Sequence, residues 1–308
     1  MIVEAPSAPV AGDERLDELL VEAGPSQHQL TANDPTPTGA PAVSIGRTPR
    51  LRAVLAGIGW GAIGAVLIVA AWQVLAWRVD TLPTPAETFT ELGHQLGDAL
   101  HNGGPNDKGV ALLLGASLRT VMMGFVAAGL VGVPLGLAMG ASRRVWQITN
   151  PAIQFLRPVS PLAWFPIWLI VFKDAPNAAV CVIFITSLWP IVLNTATGAA
   201  SVPQDQRNVA RVFRLKRRSY VRHVLVPHTM PSVVSGLRVS MGTAWMVIVA
   251  VEMLSGASGI GGKVWEAYNA LNLAQVTACI VLIGVVGLII DFGFLRLARA
   301  VAPQENHA

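Results

Sequence analysis

The stretch QRNVARVFRLKRRSYVRHVLVP, Gln206 to Pro227, decides how this chain is read. Arg207, Arg211, Arg214, Lys216, Arg217, Arg218 and Arg222 stand in it against no acidic residue, and the sequence on either side is apolar for long enough to cross a bilayer. Val209, Val212, Phe213, Tyr220, Val221 and Val224 recur there at spacings of three, four and seven. That period puts them on one helical face. A cationic loop with an apolar face, set between membrane spans, predicts a surface that something covers. Anionic lipid and a protein partner both fit the period.

Composition places the rest of the chain around this loop. Of 308 residues, 53% are hydrophobic and 13% charged, against about a quarter charged in soluble domains. This is the membrane class. The net charge of +4 does not point to nucleic acid, because the basic residues sit between apolar runs and form no extended basic face with interleaved aromatics. Cys181 and Cys279 each lie in an apolar run, where cysteine behaves as a small hydrophobe. The cysteines form no disulfide framework or zinc spacing, and no metal set is expected.

Six apolar stretches, residues 52–77, 110–140, 152–172, 178–199, 231–255 and 274–298, reach the roughly 20 residues that a membrane helix needs. Arg47, Arg50 and Arg52 precede the first, Arg143 and Arg144 join the second to the third, the quoted stretch joins the fourth to the fifth, and Arg296 and Arg299 follow the last. The intervening loops are acidic or nearly neutral: Asp80, Glu87, Glu91, Asp98 and Asp107 face Lys108 alone. Positive loops stay inside. The pattern predicts an all-α, multi-pass protein of the cell membrane with six spans and both termini cytoplasmic. Residues 1–50, rich in Pro, Ala, Ser and acid, read as a disordered cytosolic tail. Residues 51–300 form the transmembrane domain, with a cytoplasmic loop at 203–227, and 301–308 are a C-terminal tail.

Within the spans, Gly57 with Gly61, Gly132 with Gly136, and Gly136 with Gly140 are small residues four apart, which lets helix backbones approach in lipid. Gly59, Gly61 and Gly64 match GxGxxG inside an apolar helix, without the preceding strand that nucleotide binding needs. The third stretch carries Pro158, Pro161 and Pro166, and the fourth carries Thr186, Ser187, Pro190, Asn194, Thr195 and Thr197. Broken helices with polar positions line a passage or serve as interhelical glue. The expected wall of the passage is Ser160, Trp164, Ser187, Trp189, Asn194, Trp245 and Glu252. Glu252, taken as the one carboxylate embedded near the end of an apolar run, either faces that passage or closes a helix end. Arg119 and Arg157 are expected as interfacial anchors or attractors of an anion. The six histidines show no ligand spacing, no catalytic set emerges, and no GxxxxGK[ST] loop is present. Any ATP used is expected to be hydrolysed on another chain, and no cofactor is expected on this one.

The loop resembles the cytoplasmic signature of ABC importer permeases, EAA-x3-G-x9-I-x-L-P. Aligned on Pro227, the pattern falls on Asn208, Val209 and Ala210 for EAA, Arg214 for Gly, Val224 for Ile and Val226 for Leu. The spacing is intact, while the glutamate and glycine are replaced. "PVSPLAWFPIWLIVF", "PQDQRNVARV" and "VEMLSGASGIG" followed by "VWEAYNALN" are similar to the nitrate, nitrite, cyanate and bicarbonate branch, which is related to sulfonate and taurine permeases. Over residues 110–300 the resemblance implies a type I importer permease fold. It also implies coupling helices at Asn208–Arg214 and Ser219–Val224 that enter an ATPase subunit. Asn208, Val209, Ala210, Val212, Phe213, Arg214, Tyr220, Val224 and Pro227 would form that contact. Implied partners are the ATPase, an extracytoplasmic binding protein and a second permease copy or close homologue, all served by the lipid bilayer. Nitrate or nitrite is the implied cargo, with sulfonate, taurine, bicarbonate or a vitamin precursor also open. A membrane scaffold whose basic loop binds lipid is the rival reading.

Overall fold

The computed structural model describes residues 50–104 and 107–301. The described residues fold into helices joined by short turns, with one isolated bridge between Asn102 and Lys108. They are α1 Arg50–Arg78, α2 Pro85–Gly97, α3 Val110–Ala141, α4 Arg143–Leu156, α5 Pro161–Phe172, α6 Ala175–Ala200, α7 Gln204–Val212, α8 Arg217–Tyr220, α9 Val226–Ser255, α10 Ile260–Asn269 and α11 Leu273–Val301, with a π turn at Val221–Leu225. All but the last residue of the tail expected at residues 1–50 lies outside the described residues. The chain divides into two units at Trp60 and Gly61, a boundary inside α1. The helical bundle belongs to the second unit.

Glycine spacing on α3 explains the centre of the bundle. α3 packs most extensively on α6, and α6 in turn on α9. A Cβ on Gly132 would lie 2.9 Å from Ile191 Cγ2, and one on Gly136 would lie 2.6 Å from Thr195 Cβ and 2.7 Å from the Val192 carbonyl oxygen. Gly140 is equally closed, against the Ala196 carbonyl. The small residues expected to bring backbones together do so here, at van der Waals range. Around this contact Val121, Phe125, Ala128, Ile183, Ile191, Met241, Ala244, Trp245 and Ile248 make the main core. Gly136→Val is expected to cost about 1–3 kcal/mol, because the Thr195 β-carbon and the Val192 backbone carbonyl cannot step aside. Thermal unfolding of the purified protein in detergent checks this. Gly61 and Gly64 on α1 meet nothing within 4 Å, and most of the apolar side chains described on that helix are exposed.

One expected span is broken where its prolines stand, and the start of another is corrected. The stretch 152–172 is not one straight helix: α4 and α5 meet at a 91° bend across Arg157–Ser160. Pro158 and Pro161 sit at the break, where neither can donate a ladder hydrogen bond. Among the described residues, five helices are long and apolar enough to cross a membrane, or six if the bent pair is one span. The fifth stretch starts earlier than residue 231. From Arg217 to Ser255 the helix runs unbroken through the π turn for 39 residues, about 58 Å at 1.5 Å per residue. Val226 N–H donates to the Val221 carbonyl, five residues back. That wider turn, just before Pro227, lets the chain absorb a proline without ending the helix.

Candidate functional site

The basic loop is a helix, a tight turn and the start of the long helix. α7 ends in a turn where Leu215 N–H donates to Ala210 O (3.0 Å) and Arg214 N–H donates to Arg211 O (3.1 Å). This pair of bonds is a Schellman closure, whose C′ residue takes a left-handed conformation. Arg214 holds that place with φ 47°. The position that the resemblance assigns to glycine is thus the one whose geometry favours glycine. A β-carbon there costs about 1–2 kcal/mol. Arg214→Gly is expected to stabilise the turn by up to about 1 kcal/mol, read as a rise in midpoint temperature with unchanged helix content.

The apolar face of the loop divides in two. Tyr220, Val221 and Val224 pack inward with Leu137 on the buried cluster of Ala199, Val202 and Leu225. Arg207 Nη2 donates to the Ala200 carbonyl at 2.9 Å, which satisfies a free carbonyl at the end of α6. These contacts anchor the loop to the bundle. Val212 and Phe213 are 79% and 74% exposed, and Val209 and Leu215 are exposed beside them. Asn208 is exposed on the same short helix, whereas Ala210 is buried under the turn. The projecting surface is therefore Val209, Val212, Phe213 and Leu215. Tyr220 and Val224 belong to its foundation, and Ser219–Val224 is the root of α9 rather than a separate helix.

The residues expected along a passage are placed differently from one another. Asn194 lines a cavity of about 320 Å³ with Arg157, Pro190, Leu193, Thr197, Ser232 and Val239. Ser160 is exposed at the bend, and Trp164 is half-buried on α5. Trp189 packs beside a cluster of Met139, Ile153, Val192 and Ala196. Ser187 is fully buried between helices, where its carbonyl accepts from Ser240 Oγ at 3.0 Å. Trp245 Nε1 donates to Ile283 O at 3.1 Å, tying α9 to α11. Glu252 is 4% exposed. A wall position for Ser187, Trp245 and Glu252 does not fit these contacts, since all three are enclosed by neighbouring helices.

Glu252 closes a helix end instead. Its Oε2 accepts from Ser117 Oγ on α3 and from Gly261 N–H on α10, both at 2.9 Å. Ile260 N–H donates to Ser117 Oγ at 3.0 Å. One carboxylate thus joins α3, α9 and the first turn of α10, whose N–H groups have no partner within their own helix. Gly259 lies so close that a Cβ on it would overlap the carboxylate.

A second charged feature escaped the reading of the sequence. Arg238 on α9 makes a bidentate pair with Asp291 on α11, Nε to Oδ1 at 2.6 Å and Nη2 to Oδ2 at 2.9 Å. Both lie inside stretches expected to span the membrane, so Glu252 is not the only embedded carboxylate. Opposite charges in two apolar runs are a legible signal, because an ion in such a segment needs a partner. Neutralising either residue alone is expected to lower thermal stability more than Arg238→Gln with Asp291→Asn together. A double-mutant cycle on the midpoint temperature reads that difference.

Known proteins share this sequence pattern and this arrangement of helices. Residues 132–304 match the family described as "Binding-protein-dependent transport system inner membrane component". The nitrate import permease protein NrtB of Synechocystis sp. is 38% identical over 246 residues, covering 80% of this chain and 90% of that protein. The bicarbonate transport system permease protein CmpB of Synechococcus elongatus is 39% identical, covering 75% and 84%. Among solved structures, the MetNI methionine ABC transporter in an inward-facing conformation matches with a TM-score of 0.57 at 17% identity, covering 63% of this chain and 96% of that one. That likeness is one of fold. The chain belongs to the family of inner-membrane components of binding-protein-dependent transport systems.

Proposed function

We propose that this family member is the permease subunit of an ATP-driven importer for a small oxyanion, with nitrate or nitrite as first substrate. The exposed knob of Val209, Val212, Phe213 and Leu215 carries the reading. An apolar surface held on a rigid turn, ringed by arginines and rooted in the longest helix, suits a protein socket better than a lipid headgroup layer. Resemblance to ABC importer permeases makes an ATPase subunit its occupant. ATP would be bound and hydrolysed there, and this chain would bind no cofactor. The name of the NrtB relative supports nitrate. That of the CmpB relative, at similar identity, favours bicarbonate as the second reading.

Charge distribution supports both termini in the cytoplasm, with the knob on that side. An extracytoplasmic binding protein would deliver the anion to the opposite end, where α2, α10 and the loop before α3 lie. Val239 and Met246 leave an exposed strip on α9. This strip would face a second copy, or a close homologue, across the passage. Closure of the ATPase pair would move the knob, and the helix continuous from Arg217 would transmit that movement to α9 as a rigid body. Affinity for the anion would differ between the two states and so give direction.

Co-purification separates transport from scaffolding. The permease purified from its own cells is expected to retain a nucleotide-binding subunit in detergent, and cells lacking the permease are expected to lose labelled-nitrate uptake. Uptake of bicarbonate with no nitrate transport would select the second substrate. Full uptake of both anions without this chain would end the transport reading.

A further inference from the structure

The cavity beside the α4–α5 bend has a chemistry that the fold does not use. Arg157, Asn194, Thr197 and Ser232 provide its polar lining, and Pro190, Leu193 and Val239 the rest. No carboxylate is among these residues. Arg157 closes α4 through its backbone N–H, which donates to Ile153 O at 2.9 Å. Its guanidinium has no hydrogen-bond or ion-pair partner among the described residues, in contrast to Arg238. Asn194 Nδ2 gives one hydrogen to the Pro190 carbonyl at 2.8 Å, and an amide nitrogen carries a second. The Ser232 hydroxyl has no partner among the described residues, while that of Thr197 donates to Leu193 O at 2.9 Å. A cation and two further donors therefore meet in one cavity without an anion.

The bend between α4 and α5 explains why these groups can gather there. The 91° turn between α4 and α5 carries Arg157 to the wall formed by α6 and α9. In a straight helix through 152–172 the arginine would lie at the span's end as an anchor. The bend places it instead at the exposed mouth of this cavity.

We propose that this cavity is an anion station on the translocation path. A small monovalent oxyanion is held between the Arg157 guanidinium, the Ser232 hydroxyl and the second N–H of Asn194. The planar guanidinium fork matches two oxygens of a trigonal oxyanion at once. The volume of about 320 Å³ leaves room for water beside so small an ion, so the station holds cargo briefly rather than tightly. This inference rests on the reading of the protein as an anion importer.

The test uses the whole transporter, with ATPase and binding protein, in proteoliposomes loaded with ATP. Arg157→Gln is expected to raise the KM for labelled nitrate about tenfold or more, with subunit yield unchanged. Arg157→Lys keeps the charge without the fork, and its KM is expected between the two. Thr197→Cys supplies a reporter in the wall. Nitrate is expected to slow its modification by a small thiol reagent in the parent protein, and to lose that effect when Arg157→Gln is added. An unchanged KM in Arg157→Gln, or equal nitrate protection with and without the arginine, would overturn the station while leaving anion import standing. A wild-type transporter that carries a neutral solute and no oxyanion would overturn both.

Discussion

Phe213→Asp is expected to abolish ATP-driven uptake while the permease still inserts, folds and reaches the membrane. The side chain is 74% exposed, so the substitution removes little from this chain's own packing and surface changes of this kind usually move stability by less than about 0.5 kcal/mol. In the complex the balance reverses. An apolar anchor filling a socket is worth about 2–4 kcal/mol at an interface centre, and a carboxylate forced into the same socket adds a desolvation cost. The expected result is a loss of about a hundredfold or more in coupled transport, with ATP hydrolysis by the ATPase pair persisting at its uncoupled rate. Val212→Asp is expected to act alike. Tyr220→Ala should differ in kind, because Tyr220 packs on the cluster under the loop and its loss loosens the foundation. Paired measurements of uptake and melting temperature separate the cases. Normal uptake by Phe213→Asp would remove the knob from the coupling surface.

Much of this site could be read from the chain because its signals are periodic or paired in sequence. Spacings of three and four found the loop's helix, and glycines four apart found the α3–α6 contact. What spacing could not give was how the apolar face divides. Val212 and Tyr220 share a helical period, but the turn at Arg214 intervenes, so one points outward and the other packs under the loop. The prolines at 158 and 161 announced a break in the third span, while its angle depends on neighbours far away in sequence. α2 was unread although Thr84 and Glu87 spell its start: the threonine hydroxyl accepts from Glu87 N–H and the carboxylate accepts from Thr84 N–H. Arg238 and Asp291 were each visible and lay 53 positions apart. Their pairing is a tertiary fact.

The role of Glu252 leads to the second large effect. Glu252→Ala is expected to destabilise the end of the bundle carrying α10 by about 3–5 kcal/mol, the range for breaking a buried charged network. Gly261 N–H would lose its acceptor and Ser117 Oγ one of its partners, and a buried unpaired donor costs about 1–3 kcal/mol by itself. Glu252→Gln retains an acceptor oxygen of similar reach and is expected to lose less than half as much. A wall residue of the passage would behave otherwise, lowering transport with little change in stability. Gly259 provides the sharper test. Gly259→Ala drives a methyl into the carboxylate, so alone it should be nearly as damaging as Glu252→Ala. Combined with Glu252→Ala it should cost little more, since the space the methyl needs has been vacated. That non-additivity distinguishes a direct contact from two independent lesions. Additive losses in the double variant, measured by thermal unfolding in detergent, would mean that Glu252 and Gly259 do not share the contact described here.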